Sequence, residues 1–441
     1  MKIFDKFINL ITYQEPNNYN FILPDAKNVS YEKSANGNEE KEPKKEPENV
    51  FPSIDVNKEF IKEKFSFKIN NDIKIREFYI HIRGKEYASF LLYIDGMIDS
   101  KSINEFVIKP LMIKNRSNTS ENTESIINTA IANNVTVKRV KKFDLKKHIL
   151  EFLVPQNDVS LETKFKNIIQ KVNAGNSALF IDTIDSAFMI DAKGFDKRSV
   201  SPPENESIIR GSQEGFIESI RTNTSLLRRI VNSENFIIEE TTVGKISNTQ
   251  VAICYLKNIA NEGLVKEVKH RIKNVSIDYL VSSGQLEQLI EDSSISVPQL
   301  ISSERPDRVS AYILEGRIAI LVNGTPYGLV APAVLIDFLT SAEDKNLKYQ
   351  LANLLKAIRL LALFITLLLP GLYVAISAFH QELIPTELLF AIVASRSNVP
   401  FPVIFEILIM EISLELIRES GVRVPAPLGQ AIGIVRSTYL R

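Results

Sequence analysis

Cysteine is almost missing from this chain: among 441 residues there is one, Cys254, and tryptophan does not occur. A single thiol forms no internal disulfide, and no Cys/His cluster points to zinc. Cys254 lies in the apolar run Val251-Ala252-Ile253-Cys254-Tyr255-Leu256, where it reads as a small buried side chain on a strand. Net charge is missing too, since 53 basic residues balance 53 acidic ones. A nucleic-acid binder carries a basic excess or a basic face, so that class is set aside. The start, Met1-Lys2-Ile3-Phe4-Asp5-Lys6-Phe7, lacks the long apolar run and small-residue cleavage site of a signal peptide. The charged body is therefore expected to stay in the cytoplasm. HExxH, P-loop and nucleophile-elbow patterns are absent as well. Asp95, Asp99, Asp182 and Asp191 fall near strand ends and offer carboxylates for a metal or a phosphate. Aspartate at such places is more often a turn residue. No enzyme activity, cofactor or metal is expected.

What is present is an uneven chain. Charge is dense up to about Lys356, and the remainder is far more apolar. Within the charged part, Tyr31 to Val50 (YEKSANGNEEKEPKKEPENV) is nearly free of apolar residues and reads as a disordered linker, closing an N-terminal region 1–55. Residues 56–200 alternate strands and helices: a buried strand Ala88–Gly96 ending in an Asp-Gly turn, and a short helix Ile103–Met112 stopped near Pro110. Phe165, Ile168, Ile169 and Val172 have helical spacing, and strands follow at Ser177–Ile181 and Ser186–Ile190. A second α/β subdomain, 201–345, carries strands at Val251–Leu256, Val309–Leu314 and Arg317–Val322. The last two are expected to form a hairpin through Glu315-Gly316, with another turn at Asn323-Gly324-Thr325-Pro326. No exact internal repeat is visible. The expected fold class is an α/β cytoplasmic region of two subdomains followed by α-helical transmembrane segments.

Leu360 to Phe379 is about twenty uncharged residues, enough to cross a bilayer core, with Pro370-Gly371 in its middle. A buried core helix is the soluble alternative. Lys345, Lys348, Lys356 and Arg359 precede the run and only His380 follows closely, which orients the body to the cytoplasm. Leu388 to Ser395 is too short to span and reads as re-entrant or interfacial. Pro400 to Ile417 is apolar apart from Ser413, Glu406, Glu411 and Glu415. At about 100° per residue, Glu411, Glu415 and Arg418 share one face and Glu406 points elsewhere. Two readings stay open: a polar seam lining an ion path or gripping a partner helix, and an amphipathic helix at the membrane surface with a structural Glu–Arg network.

The most distinctive run is Ser201 to Ile230 (SPPENESIIRGSQEGFIESIRTNTSLLRRI). Pro202-Pro203 keeps its approach extended, Gly211 permits a turn, and Ser212 is placed as an N-cap with Glu214 in the first turn. Phe216, Ile220, Leu227 and Val231 then follow helical spacing, with Glu218 and Arg221 one turn apart. Read by itself, this is a well-capped surface helix. The run nevertheless resembles the PP–E–RG–REGF–E–RTNT–RRR signature of the A-subunit family of bacterial spore germinant receptors (GerA type). The matching residues are Pro203, Glu206, Arg210, Gly211, Glu214, Gly215, Phe216, Asn223, Arg228 and Arg229. Ser212-Gln213 departs from the family's commoner Pro-Arg, and Ile230 replaces a third arginine. Similar segments recur at Leu92–Met97, Glu304-Arg305-Pro306-Asp307, Glu315-Gly316-Arg317, Gly324-Thr325-Pro326, Val399–Pro402 and Arg418–Pro425, so the likeness covers about Val56 to Val435.

The resemblance implies a multi-pass protein of the spore inner membrane, acting with a transporter-like B subunit, a lipoprotein C subunit and further copies of itself. It implies a part in relaying nutrient binding to ion release. A related sporulation membrane protein assisting dipicolinate transport and a non-conducting scaffold are the alternatives. Gly429 to Val435 resembles the start of another family span, but Arg436-Ser437-Thr438-Tyr439-Leu440-Arg441 does not continue it. A membrane domain 346–441 shortened at its end is the expectation.

Overall fold

The computed structural model describes residues 47–82, 85–112, 145–150, 154–155, 158–194, 203, 206, 208, 211–292, 297–396 and 401–423. The N-terminal apolar piece, most of the charged linker, Arg210 and the last eighteen residues lie outside them. Two compact units divide after Asn346.

The first unit holds two α/β subdomains. In the first, α1 (Ile54–Lys64) leads into a hairpin of β1 (Ile73–Ile82) and β2 (Lys85–Ile94). There follow α2 (Ser100–Ile103), a π-helical turn Asn104–Ile108, α3 (Lys109–Met112), α4 (Leu145–His148), β3 (Val159–Glu162), α5 (Phe165–Asn173), β4 (Ser177–Ile181) and β5 (Ala187–Ile190). Among the described residues the helical stretch runs to Met112, the expected limit, and passes through Pro110. The preceding turn is wound wider, with the Lys109 N–H bonded to the Asn104 carbonyl, and this accommodates a ring that has no N–H to donate. The antiparallel sheet runs β1-β2-β4-β5-β3. Alternate residues serve opposite faces. Leu91, Leu179 and Phe188 pack under Ile103 and Val107, whereas Phe90, Phe180 and Met189 pack under Ile61, Phe165 and Ile168. The linker's last residues are ordered: Val50 is buried, and its N–H donates to the Thr163 carbonyl.

The second subdomain repeats the sheet topology of the first. Helix α6 (Ile220–Ile230) precedes the hairpin β6 (Phe236–Val243) and β7 (Thr249–Leu256). Next come α7 (Glu262–Asn274), α8 (Ser283–Ile290), β8 (Ile301–Ser303), α9 (Pro306–Leu314), β9 (Ile318–Val322), β10 (Gly328–Ala331) and α10 (Leu335–Leu339). Its sheet order, β6-β7-β9-β10-β8, is that of the first sheet with every strand antiparallel to its neighbours. Cys254 sits fully buried on β7, facing α6 and α9.

One expected strand is a helix. Val309 to Leu314 belongs to α9, which starts with Pro306 in its first turn and buries Val309, Tyr312 and Ile313 at helical spacing. Glu315-Gly316 is a helix stop, not a hairpin: Gly316 (φ +93) donates to the Ile313 carbonyl and Arg317 to the Tyr312 carbonyl. That pair of bonds is a Schellman cap.

In the second unit, α11 (Tyr349–Phe379) is 31 residues long and carries Pro370 inside it. Among the described residues it is the one helix long and apolar enough to cross a membrane. Two shorter helices follow, α12 (Thr386–Arg396) and α13 (Val403–Arg423), and α13 packs on α11.

Candidate functional site

The signature run begins as an extended strap, not as the helix expected from Ser212. The Ser212 hydroxyl accepts the Glu214 N–H at 3.3 Å, but α6 starts only at Ile220. The chain stays extended because its backbone groups are taken elsewhere. The Phe216 N–H donates to the Glu304 carbonyl at 2.7 Å, and the Gly324 N–H to the Glu218 carbonyl. Asn223, completely buried on α6, reaches back to accept the Ile217 N–H and to donate to its carbonyl. Phe216 is buried in one cluster with Val309 and Leu321, and its ring leaves no room for a side chain at Gly328, where an added Cβ would meet it at 3.1 Å.

Arg305 pins the strap from beneath. It is 0% exposed. It donates to the Glu206 and Ser212 carbonyls at 3.1 and 2.7 Å, and grips Asp307 bidentately at 3.1 and 2.8 Å. Glu206 is held in turn by the Ser303 hydroxyl (2.6 Å) and Arg308 (2.8 Å). Arg229 pairs with Glu214. Glu206, Glu214, Phe216, Asn223, Arg229, Glu304, Arg305, Pro306 and Asp307 thus meet in one assembly around α6 and α9, although about a hundred residues separate its two halves, while Pro203 and Gly215 are buried beside it along the chain and Gly211 lies at its edge.

Arg228 points the other way, into the junction between the subdomains. It is 0% exposed, donates from Nε to Asp72 Oδ2 at 2.9 Å with Nη2 in ion-pair contact with the same oxygen at 2.7 Å, donates to the Ser233 carbonyl, and lies 4.7 Å from the Phe236 ring centre. Burial pushes the Asp72 carboxyl above the usual range, and Arg228 opposes that shift. Beside them Asn70 acts as an extra rung on the open edge of β6, accepting the Ile238 N–H and donating to the Phe236 carbonyl. The Asn71 N–H adds a bond to the Ile238 carbonyl at 2.9 Å. A more exposed bridge joins Arg221 to Asp95 at 2.7 Å. There the turn glycine Gly96 (φ +84) lies against α6 so closely that an added Cβ meets the Ser225 Cβ at 3.3 Å.

Asp72 and Asn70 escaped sequence reading. The Asn-Asn-Asp cluster signals only a turn, and the partners are more than 150 residues away. The four strand-end aspartates have structural partners: Asp95 binds Arg221, Asp99 caps α2, Asp182 accepts the Ile54 N–H, and Asp191 pairs with Lys193. In the second unit Glu415 pairs with Arg418, Glu411 is exposed on the same helix, and Glu406 pairs instead with Arg396 at 3.0 Å.

The fold and the junction define a duplicated α/β body clamped by buried arginines, followed along the chain by a membrane-length helix. Residues 59–437 match the family model described as Bacillus/Clostridium GerA spore germination protein, and the chain belongs to that family. It is 35% identical over 393 residues to spore germination protein KA of Bacillus subtilis, covering 89% of this chain and 68% of that one. To spore germination protein B1 of the same organism it is 39% identical over 346 residues, covering 78% and 67%. The chain therefore spans about two thirds of the length of these relatives. The crystal structure of the N-terminal domain of the A subunit of the Bacillus megaterium spore germinant receptor GerK3 is 30% identical. It aligns with a TM-score of 0.45 over 65% of this chain and 97% of that one.

Proposed function

We propose that this chain is a non-enzymatic, membrane-anchored A-type subunit of a spore germinant receptor, with its duplicated α/β body in the cytoplasm. The observation that carries the reading is the junction. The family signature supplies both Arg228, which ties the two subdomains together through Asp72, and the strap that Arg305 fixes beside it. Such a coupled body suits a relay, because a displacement of one subdomain disturbs the other through a buried ion pair. On this reading α11 spans the inner membrane of the spore, α12 and α13 belong to the membrane part, and transporter-like B and lipoprotein C subunits assemble with it, alongside further copies of this chain. The relay ends in ion release, with Glu411 and Glu415 facing a polar path. A scaffold that docks partners without conducting is the second reading, favoured by the ion pair that takes Glu406 away from the other carboxylates.

The test is nutrient-triggered loss of optical density in spores lacking the gene, next to complemented spores and a non-nutrient trigger. Failure of the nutrient response alone, restored by complementation, supports the receptor reading. Normal nutrient germination removes it. Replacing Glu411 and Glu415 by glutamine separates the two readings, since a scaffold keeps its ion release.

A further inference from the structure

Helix α10 is built inside out. Its one acidic residue, Asp337, is 5% exposed, while Leu335 is 68% exposed and Val334, Ile336 and Phe338 are about half exposed. A surface helix in water turns its charges outward and its apolar side chains in. Here the carboxylate is drawn inward by Arg317, which bonds it bidentately and also donates to the Pro332 carbonyl. Asp337 additionally accepts the Val334 N–H at the helix start. Arg308 holds the other end through the Asp337 and Thr340 carbonyls. Both arginines stack over Tyr312, as does Lys345. The apolar residues are thereby held outward by a rigid polar base, and they are not a frayed end that collapse would hide.

We infer that this apolar ridge docks in the interfacial layer of a lipid bilayer, a contact that rests on the membrane reading of α11. Two further features select lipid over other apolar partners. The first is the tether. Nine residues lie between α10 and α11, so the ridge stays within at most about 35 Å of the start of the membrane-length helix. The second is charge. The connecting segment exposes Lys345 and Lys348, and Lys356 and Arg359 follow before the apolar run, suiting the anionic headgroups of a cytoplasmic leaflet. Of the acidic residues in between, Asp344 is buried and accepts the Ser341 N–H; Glu343 and Glu315, which pairs with Lys345 at 3.3 Å, are the opposing charges, and Lys348, Lys356 and Arg359 outnumber them. A ridge of this kind seats its side chains at the boundary of headgroups and acyl chains. The base that holds it includes Arg317, which gives the Glu-Gly-Arg segment a role in presenting it, and Arg308, the residue after the Arg-Pro-Asp segment.

The experiment uses the full chain in vesicles of phosphatidylcholine and phosphatidylglycerol. Single cysteines replace Leu335, Phe338, Leu367 and Ile246 (Leu335→Cys and so on), and each carries an environment-sensitive fluorophore. The native Cys254 is buried and takes no label in the folded chain. Quenching by spin-labelled lipid is compared with quenching by iodide in the water. Expected is loss of emission to the lipid quencher at 335 and 338, as at 367 within α11, and to iodide alone at 246. Iodide quenching at 335 and 338, with lipid quenching kept at 367, overturns the docking and leaves the span intact. Shielding from both quenchers there assigns the ridge to a protein surface, such as a second copy, and equally overturns it. Absence of lipid quenching at 367 removes the membrane reading itself.

Discussion

Arg228 and Asp72 carry the plainest energetic consequence at the scale of single residues. Each is buried and each is the other's charge partner. Removing one leaves an uncompensated ion in a dry site, so Arg228→Met is expected to cost about 3–5 kcal/mol. The double change Asp72→Leu with Arg228→Met is expected to recover much of that loss, because two apolar groups need no partner. Cys254 provides the readout. Burial pushes its thiol well above the ordinary range and keeps it unreactive. Opening the second subdomain exposes it, so the rate of alkylation should rise in the single variant and fall back in the double one. A second residue prediction concerns Glu162 at the edge of the first sheet. Hydrogen bonds from Lys171 and Asn167 hold its carboxyl below the ordinary value of 4.5. A depressed carboxylate contributes stability above its unfolded pKa and loses it as the pH falls through the folded value. Glu162→Gln should therefore cost roughly 0.5 kcal/mol at neutral pH, the pair being partly exposed, and next to nothing well below pH 4.5, as read from urea midpoints at both pH values.

At the scale of elements, sequence pattern was a good guide wherever one face was buried. Helix α5 was legible from Phe165, Ile168, Ile169 and Val172, and β4 from its unbroken apolar run, because burial imposes its period directly. Helix α9 was not. Val309 to Leu314 is short and apolar enough for either state, and Glu315-Gly316 ends a helix as readily as it turns a hairpin. Pro306, three residues ahead of Val309, was the signal that decides it. The strap of residues 211–219 misled for a related reason. Ser212 and Glu214 are good first-turn residues, but Asn223, Glu304 and Asn323 claim the strap and the start of α6 from outside it, and no local propensity reports such partners. The glycine stop is testable. Gly316 has φ +93, and an added Cβ meets the Ile259 carbonyl oxygen at 3.2 Å. Gly316→Ala should destabilise the second subdomain by about 1 kcal/mol or more, measured as a lowered urea midpoint.

For the molecule as a whole, the duplication was invisible in the sequence because a shared topology needs only matching patterns of burial, not matching residues. The motif segments were visible, but their assembly was not, since Arg305 meets Glu206 and Arg228 meets Asp72 across large stretches of chain. That assembly makes a prediction about cooperativity. The subdomains have separate cores on separate sheets, so each is a plausible unfolding unit by itself. Among the described residues they are joined by one buried ion pair, the three bonds of Asn70 and Asn71 to β6, the Arg221–Asp95 bridge and an exposed Lys257–Ser66 hydrogen bond. Coupling of that size, several kcal/mol in total, is a large fraction of a domain's stability and suffices to merge two transitions into one. In urea, the detergent-solubilised chain is therefore expected to lose protease resistance in the first subdomain and to expose Cys254 in the second at one midpoint. With Asn70→Ala and Arg228→Met combined, the two probes should separate. Separate midpoints in the unaltered chain would mean that the subdomains fold independently and that the junction is too weak to relay anything. A single midpoint surviving both changes would place the coupling in contacts other than the signature arginine and Asn70.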